Sequence, residues 1–290
     1  METRPPEFDP AIADFYQQAP EENRLEEGSS LLEALRTREL IQRYAPPAPA
    51  TVIDIGGAAG AYSLWLADAG YTVHLLDAVP RLVAEARRRS ATRSRPLASC
   101  DVGDARTTKF ADDTADIVLL LGPLYHLITT ADRTAALVEA ARVLKPGGRL
   151  FAAAISRWAS ALDGLTRDLF RDPEFAPIVD RDVREGQHRN PTGRLDYFTT
   201  AYFHRPEDLR TEALEAGLLV DGVFGVEGPG WLLSDVNERL KDARRRADVL
   251  RVARMFESES SLLGISAHLL LVGRKPSTPS RDSRDSEIQG

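Results

Sequence analysis

Two hydrophobic periods alternate along the middle of the chain. Short apolar runs, such as residues 51–57 ("TVIDIGG") and 115–122 ("ADIVLLLG"), are suited to strands, the second to one buried on both faces. Segments of helical period lie between such runs, for example 80–90 ("PRLVAEARRRS") and 132–144 ("DRTAALVEAARVL"). Strands that alternate with helices in this way predict a parallel sheet covered by helices.

The same reading assigns the rest of the chain. Further strands are predicted at 71–77, 95–106, 149–156, 219–228 and 261–275, with a strand or hairpin at 193–204. Further helices are predicted at 30–44, 62–70, 205–218 and 234–256, and residues 157–190 are helical and charged with an interruption at 172–177. Gly70 is placed just past the end of its helix, and Pro206 in the first turn of another.

Changes of composition divide the chain into three parts. The proline-rich "APPAPA" at 45–50 separates a helical segment, residues 1–48, from the first strand. The alternating pattern occupies residues 49–275 and is broken at about 157–200. Residues 276–290 are polar and low in apolar side chains, which predicts a disordered tail.

Charge and cysteine content exclude several classes of function. The chain has 37 Lys plus Arg against 44 Asp plus Glu, so a net charge of -7 gives no global attraction to nucleic acid or to an anionic membrane. Cys100 is the one cysteine, which excludes an intrachain disulfide and fits a reducing compartment. The N-terminal "METRPPEFDP" is unlike a signal peptide, and no apolar run approaches the roughly 20 residues of a membrane span. We therefore expect a soluble cytoplasmic protein.

The loop after the first strand is the main candidate for ligand binding. Its run from Gly56 to Gly60 ("GGAAG") lacks the Gly-Lys-Ser/Thr ending of a phosphate-binding P-loop and departs from the G-x-G-x-x-G dinucleotide fingerprint. Asp54 would repel a pyrophosphate but attract an ammonium group. Asp77 ends the second strand, where an acid can accept both ribose hydroxyls. Ribose, an amino acid part and no phosphate together describe S-adenosylmethionine.

Five segments in the right order carry a resemblance to a known family. "VIDIGGAAG" resembles the D-x-G-x-G-x-G motif of class I S-adenosylmethionine-dependent methyltransferases, and "HLLDA" and "GDAR" resemble their ribose and adenine motifs. "ADIVLLLGPLYHL" resembles the fourth motif, and "ARVLKPGGRLFAAAIS" the turn before strand five. The resemblance covers about residues 15–275 and is to the small-molecule type. It implies a Rossmann-like fold: a seven-stranded, mainly parallel sheet with an N-terminal helical cap and an inserted lid at about 157–200.

The family's motifs also imply which residues contact the cofactor S-adenosyl-L-methionine. Asp104 is expected to face the adenine amino group, and Tyr16, in the N-terminal "DFYQQAPEENRL", to close over the methionine end with help from Arg24 or Arg38. Ala58 stands where the family has its middle glycine; its extra methyl is tolerable if its backbone stays in an allowed region and otherwise crowds the methionine part. The full expected set is Tyr16, Asp54, Gly56, Gly57, Ala58, Gly60, Asp77, Asp104, Ala105, Leu121 and Gly122.

Three residues are candidates for the chemistry of the acceptor. Methyl transfer is an in-line displacement, so the protein supplies position and desolvation, and a base matters only if the acceptor loses a proton. His126 is the first candidate for that base and His204 the second, whereas Tyr125 is a candidate to orient the acceptor. "DVGDAR" offers two acids without a third ligand, so no metal is predicted.

The acceptor is expected to be a small organic molecule, methylated at O, N or C. "LGPLYH" lacks the Asn/Asp-Pro-Pro-Tyr/Phe pattern of enzymes that methylate the amino groups of bases. Aromatic side chains in 157–203 favour an apolar or aromatic secondary metabolite. Two alternatives from other classes are a nicotinamide-dependent oxidoreductase and a non-catalytic S-adenosylmethionine-binding module, and a macromolecular substrate is a third. The N-terminal helices offer a route to a homo-oligomer.

Overall fold

A β-sheet with helices on both faces forms the centre of the chain. The computed structural model describes residues 9–18 and 21–277. Its strands are β1 (Thr51–Ile55), β2 (Thr72–Asp77), β3 (Ser99–Val102), β4 (Ala115–Leu120), β5 (Leu144–Ser156), β6 (Gln187–His188), β7 (Ala201–His204), β8 (Leu219–Gly225) and β9 (His268–Arg274). Its α-helices are α1 (Pro10–Gln18), α2 (Gly28–Tyr44), α3 (Ala61–Asp68), α4 (Pro80–Ala91), α5 (Pro123–His126), α6 (Thr130–Val143), α7 (Ala159–Thr166), α8 (Phe175–Glu185), α9 (Pro206–Glu215), α10 (Val236–Lys241) and α11 (Ala243–Phe256).

The sheet has the predicted, mainly parallel topology. Its strands run in the order β3, β2, β1, β4, β5, β9, β8, and the pairs among the first five are parallel. Strand β9 is antiparallel to both β5 and β8. This confirms the expected seven-stranded sheet. Two short strands are added: β7 pairs in parallel with the end of β5, and β6 pairs antiparallel with β7.

The central strands are apolar on both faces because helices cover both. Along β4, Ile117 and Leu119 belong to one buried cluster, and Val118 and Leu120 to another. Successive side chains of a strand point to opposite faces, so these two clusters lie on opposite sides of the sheet. A strand between two helical layers must be apolar on both faces, which explains the continuous apolar run from which its burial was predicted.

Several predicted boundaries shift in the structure. The helix predicted at 234–256 is divided into α10 and α11, because Asp242 has extended backbone and its side chain accepts a hydrogen bond from the Arg245 backbone N–H at 2.8 Å. An N-cap of this kind begins a new helix. Of the predicted strand at 193–204, the last four residues form a strand, β7, and Leu195–Tyr197 form a 3-10 turn.

The two ends of the chain were expected to form a helical segment and a disordered tail. The N-terminal segment contains α1 and α2, joined by a 3-10 turn at Glu21–Glu26. Of the predicted disordered tail at 276–290, residues 278–290 lie outside the described residues. In the described part of the chain, no helix has the length and apolar character needed to cross a membrane.

Candidate active site

A cavity of about 650 Å³ opens at the carboxyl ends of β1, β2 and β4. This is the edge at which parallel sheets bind ligands. The fold brings together here ten of the eleven expected cofactor residues, namely Tyr16, Asp54, Gly56, Gly57, Ala58, Asp77, Asp104, Ala105, Leu121 and Gly122. The eleventh, Gly60, is buried behind the wall, where its positive φ of 86° lets it serve as the N-cap residue of α3.

Two glycines of the loop allow close backbone approach. A Cβ on Gly56 would lie 2.5 Å from Cδ of Pro123, and one on Gly57 would lie 2.9 Å from Oδ2 of Asp54. Both distances are too short for a side chain, so the loop passes directly over β1 and the start of α5. Ala58 follows with a φ of 47°, in the left-handed region that a glycine adopts without strain. The departure from the family's motif therefore places strain in the backbone of the cavity wall.

Asp54 supplies a buried carboxylate at the end of β1. It is only 1% exposed, and Ser63 donates a hydrogen bond to its Oδ2 at 2.6 Å. Its Oδ1 is buried and has no hydrogen-bond partner among the described residues. Burial raises the pKa of Asp54 to about 7, with a smaller contribution from the nearby Asp77 carboxylate. A buried, unpaired carboxylate oxygen in a cavity wall is a ready acceptor for a cationic ligand group.

The carboxylate of Asp77 holds two backbone N–H groups at the end of β2. Its Oδ2 accepts a hydrogen bond from the Ala58 backbone N–H and its Oδ1 one from the Val79 backbone N–H, each at 2.8 Å. The second contact lies at the start of α4, while the first holds the glycine loop against β2. Each carboxylate oxygen can accept a further hydrogen bond, so the side chain still has capacity for two hydroxyls. Burial raises its pKa.

Asp104 lies in the wall with its carboxylate already engaged. Its Oδ1 and Oδ2 accept hydrogen bonds from the guanidinium of Arg106 at 2.9 and 2.6 Å, and Arg106 also reaches Asp132 at 2.8 Å. The expected contact of Asp104 with an adenine amino group stays a prediction, which must accommodate this ion pair. Ala105, next to it, is buried in the same wall.

Tyr16 and His126 meet in the wall of the cavity. The Tyr16 hydroxyl lies 2.7 Å from Nε2 of His126, and Nδ1 of the ring lies 3.3 Å from the Thr200 carbonyl oxygen. Burial lowers the pKa of His126 to about 4, so the ring is neutral and has one N–H. The carbonyl can only accept, which assigns that proton to Nδ1 and makes Nε2 the acceptor of the tyrosine hydroxyl. The pair joins α1 to α5.

His204, the second candidate base, does not reach the cavity. It is fully buried, and its Nε2 lies 3.2 Å from Oε2 of Glu212. Arg133 donates to the same carboxylate at 2.6 Å, and its guanidinium stacks 3.6 Å from the ring centre of Tyr202. The sequence placed His204 correctly at the end of a strand, but that end is covered by α9. We therefore interpret His204 as part of a structural network and not as a catalytic residue.

A second cavity, of about 230 Å³, lies against the first. Residues from α7, α8, β5 and β7 line it, together with the aromatic side chains of Phe175, Tyr197, Phe198, Phe203 and Trp231. Trp158, Phe170 and Tyr202, which the sequence grouped with them, are not in its wall. Four side chains line both cavities: Tyr16, Arg24, Tyr125 and His268. The two spaces therefore meet at these four residues.

Two ion pairs occupy this junction. Arg24 donates to both carboxylate oxygens of Glu33, at 2.7 and 3.1 Å, and His268 Nδ1 lies 2.6 Å from Oε1 of Glu227. Despite burial, the carboxylates of Glu33 and Glu227 raise the pKa of His268 to about 9. Glu33, Glu227 and His268 cluster closely enough to suggest a metal site, but Arg24 and the imidazolium already neutralise both carboxylates. Sequence reasoning missed His268, although a histidine in the apolar "AHLLLVG" was a usable signal.

Arg38 is the other cation expected near the methionine end. It lines the large cavity, and its guanidinium carbon lies 5.4 Å from the ring centre of Trp65. Leu121 and Gly122, which follow β4, also line this cavity, and a Cβ on Gly122 would lie 3.3 Å from the carbonyl oxygen of Gly56. The large cavity thus has both a cationic side chain and a close-packed stretch of backbone in its wall.

Comparison with known proteins agrees with this geometry. A family described as a methyltransferase domain matches residues 53–152. The chain is 36% identical over 172 residues to a demethylmenaquinone methyltransferase of Beutenbergia cavernae, a match that covers 57% of this chain and 64% of the relative. It is 28% identical to the aklanonic acid methyltransferase DauC of Streptomyces sp. strain C5, over 61% of this chain and 70% of that one. The chain thus spans less than two thirds of the length of the first of these relatives.

A solved structure extends the likeness to the whole fold. The PH0226 protein of Pyrococcus horikoshii superposes with a TM-score of 0.59 at 17% identity, over 91% of this chain and 99% of that one. At this identity the likeness concerns the fold alone. With the domain match over residues 53–152 and the named relatives, the comparisons show that the chain is similar to methyltransferases in its fold and in its methyltransferase domain.

Proposed function

We propose that the chain transfers the methyl group of S-adenosylmethionine to a small organic acceptor. One observation carries the proposal: a large cavity above the glycine loop and a smaller aromatic cavity meet at Tyr16, Arg24, Tyr125 and His268. A donor in the first space and an acceptor in the second would have their reacting atoms at this junction. The names of the relatives, which act on small molecules, support the same assignment.

The residues of the large cavity fit the cofactor. The unpaired Oδ1 of Asp54 would accept a hydrogen bond from the ammonium group, and Asp77 would accept the ribose hydroxyls. A flat group such as adenine would lie beside Asp104 and Ala105. A nicotinamide dinucleotide would instead bring a pyrophosphate towards the carboxylate of Asp54, which is unfavourable in a buried site.

The cofactor supplies a sulfonium methyl group, which an acceptor atom attacks in line. The chain supplies position and a water-excluding wall. Tyr16 and His126 close that wall through their hydrogen bond. A base works best with a pKa near the working pH, whereas that of His126 is about 4. We therefore assign His126 to holding Tyr16 and not to proton abstraction. Tyr125, at the junction, is the residue that orients the acceptor.

The segments of the chain that line the two cavities support these roles. We propose that residues 1–48 form a cap and residues 157–200 a lid over a methyltransferase domain at 49–275. Tyr16 from the first segment, and Phe175, Tyr197 and Phe198 from the second, line the cavities. A cytoplasmic location, a homo-oligomer formed through the N-terminal helices, and the absence of nucleic acid and membrane partners are further proposals. The single cysteine and the net charge of -7 support the first and the last.

The test is calorimetric titration of the protein with S-adenosylmethionine, S-adenosylhomocysteine and NAD in parallel. Both sulfur ligands should bind and NAD should not. Asp77→Asn should weaken both sulfur ligands by tenfold or more, because an amide can accept at only one of the two positions that the carboxylate serves. The control is Asp112→Asn, whose side chain is 73% exposed and outside both cavities. Binding of NAD alone would overturn the proposal, and cofactor binding without transfer to any small acceptor would favour a non-catalytic module.

A further inference from the structure

The small cavity contains a polar group that the proposed methyl transfer does not use. Ser160 lies in the first turn of α7, is 9% exposed, and lines the cavity. Its hydroxyl oxygen is buried and has no hydrogen-bond partner among the described residues. A buried hydroxyl is costly unless something bonds to it. A bound molecule in this cavity would provide that partner.

Other polar atoms of the same wall are already paired. His188 has Oδ2 of Asp182 at 2.8 Å on one side of its ring and the carbonyl oxygen of Tyr197 at 2.6 Å on the other. The indole N–H of Trp231 donates to the Ile265 carbonyl oxygen at 2.8 Å, and the Tyr197 hydroxyl donates to Asp172 at 2.7 Å. These rings therefore offer the cavity their apolar faces.

Asp163 lies one helical turn after Ser160 on the same helix. Residues three apart on a helix are neighbours on one face, and both side chains line the cavity. Arg167 donates to Oδ2 of Asp163 at 2.9 Å. Despite that contact, burial raises the pKa of Asp163, and the nearby Asp196 carboxylate acts in the same direction. The cavity thus has a hydroxyl and a carboxyl side by side next to its aromatic side chains, while the cations Arg24 and His268 lie at its junction with the large cavity.

This arrangement indicates the chemical class of the acceptor. Aromatic walls favour a ring, and a carboxylate beside a hydroxyl recognises a group that donates a hydrogen bond. Arg167 pairs with both Asp163 and Asp196, but a carboxylate held at Ser160 and Asp163 would still place two carboxylates side by side, so an uncharged hydrogen-bond donor fits this position better. We propose, resting on the function proposed above, that the small cavity binds an uncharged ring compound through a hydroxyl or amino group held by Ser160 and Asp163.

The backbone near this cavity keeps its walls in place. A Cβ on Gly164 would lie 2.3 Å from Cε1 of Phe175, so α7 and α8 pack as closely as a glycine allows. Phe198 has a φ of 63°, and Asn190 donates to its carbonyl oxygen at 2.7 Å. Its ring centre lies 5.9 Å from that of His126, which connects this wall to the closure at Tyr16. A wall so constrained can select among acceptors by the position of their polar group.

Three probes with the same ring and different polar groups test the proposal. 4-Ethylphenol donates a hydrogen bond, 4-ethylanisole only accepts one, and 4-ethylbenzoate is anionic. Their affinities are measured by ligand-detected NMR titration of the full chain saturated with S-adenosylhomocysteine, which cannot donate a methyl group. We expect the phenol to bind at least fivefold more tightly than the anisole and at least tenfold more tightly than the benzoate.

Variants then assign that preference to the two side chains. Ser160→Ala and Asp163→Asn should each reduce the advantage of the phenol at least threefold and leave the affinity for S-adenosylhomocysteine unchanged. The matched control is Asp180→Asn on α8, which is exposed and outside the cavity. The proposal is overturned if the benzoate binds as tightly as the phenol, if no probe binds the loaded protein, or if neither variant changes the preference. Failure of S-adenosylhomocysteine to bind would instead count against the proposed function.

Discussion

The hydroxyl of Tyr16 and Nε2 of His126 lie 2.7 Å apart although 110 residues separate them in the chain. The contact joins the N-terminal helix α1 to α5, which begins directly after the loop that follows β4. Both side chains line the large cavity, and Tyr16 also lines the small one. Because His126 is neutral around pH 7, the hydrogen bond has one donor and one acceptor and is independent of pH there. We interpret it as the closure of the cap over the cofactor.

Removing that hydrogen bond should speed release of the cofactor product. Tyr16→Phe keeps the ring and removes the hydroxyl, so the closed arrangement loses one hydrogen bond worth about 0.5–1.5 kcal/mol. We expect the rate of S-adenosylhomocysteine release, measured by stopped flow, to increase by about threefold to tenfold. The control is Tyr71→Phe, which removes a similar bond of 2.8 Å to the Pro46 carbonyl oxygen away from both cavities. An unchanged release rate for Tyr16→Phe would show that the contact does not close the cap.

Cofactor affinity should depend on the ionisation of Asp54. Its pKa is raised to about 7, so near pH 5.5 the carboxyl is mostly protonated and cannot pair with an ammonium group. Affinity for S-adenosylhomocysteine should therefore increase by about tenfold or more from pH 5.5 to 7.5, since each pH unit below a pKa reduces the ionised fraction about tenfold. Calorimetry across this range measures it. Asp54→Asn should bind more weakly and with no such pH dependence, and an equal dependence in that variant would rule out Asp54 as its source.

The backbone strain at Ala58 predicts opposite effects for two neighbouring substitutions. Ala58 has a φ of 47°, whereas Ala59, next to it, is buried and has no positive φ. Ala58→Gly relieves roughly 1–2 kcal/mol of left-handed strain and loses about 0.5–1 kcal/mol through the flexibility of glycine in the unfolded chain. We expect its free energy of unfolding to stay level or rise by about 1 kcal/mol in urea denaturation. Ala59→Gly should lower it by about 0.5–1 kcal/mol or more. Equal losses in both variants would contradict this account.

Stability should fall in alkaline solution because of His268. Its pKa of about 9 in the folded chain exceeds its ordinary value of 6.5, so protonation favours the folded state. The contribution is fully present below about pH 6.5 and is lost as the pH rises through about 9. The free energy of unfolding should drop over this range by up to about 3 kcal/mol. His268→Gln should flatten the drop, while the control His74→Gln, on β2, should keep it. A drop of the same size in both variants would exclude His268 as its origin.

His204 should affect stability and not the cofactor. It is fully buried beside Glu212 and Arg133 and lines neither cavity. His204→Ala should lower the melting temperature by several degrees, because it leaves a cavity and removes a partner of a buried carboxylate. The affinity of the folded variant for S-adenosylhomocysteine should equal that of the unchanged protein. A variant with normal stability and weakened S-adenosylhomocysteine binding would contradict this interpretation and indicate that His204 contributes to the binding site.

Local patterns in the sequence determined the sheet and the floor of the cavity. Alternating periods predicted the strands, and the acids that end β1 and β2 meet at one edge of the sheet because the carboxyl ends of parallel strands lie together. Asp54 and Asp77 could therefore be placed from sequence. Boundaries that depend on a single cap, such as the break at Asp242, could not, because the helical pattern continues across it.

Only the tertiary structure decided which distant side chains meet. A histidine at the end of a strand looks the same in sequence whether it faces a cavity, as His268 does, or is covered by a helix, as His204 is. Likewise, the sequence named Tyr16 and His126 for separate roles, and Ser160 was not singled out. The packing of α1 and α5 brings Tyr16 and His126 into hydrogen-bond contact, whereas the packing of α7 leaves the Ser160 hydroxyl without a partner among the described residues. Periodicity along the chain determines which face of an element is buried, whereas contacts between elements depend on how their surfaces fit in three dimensions.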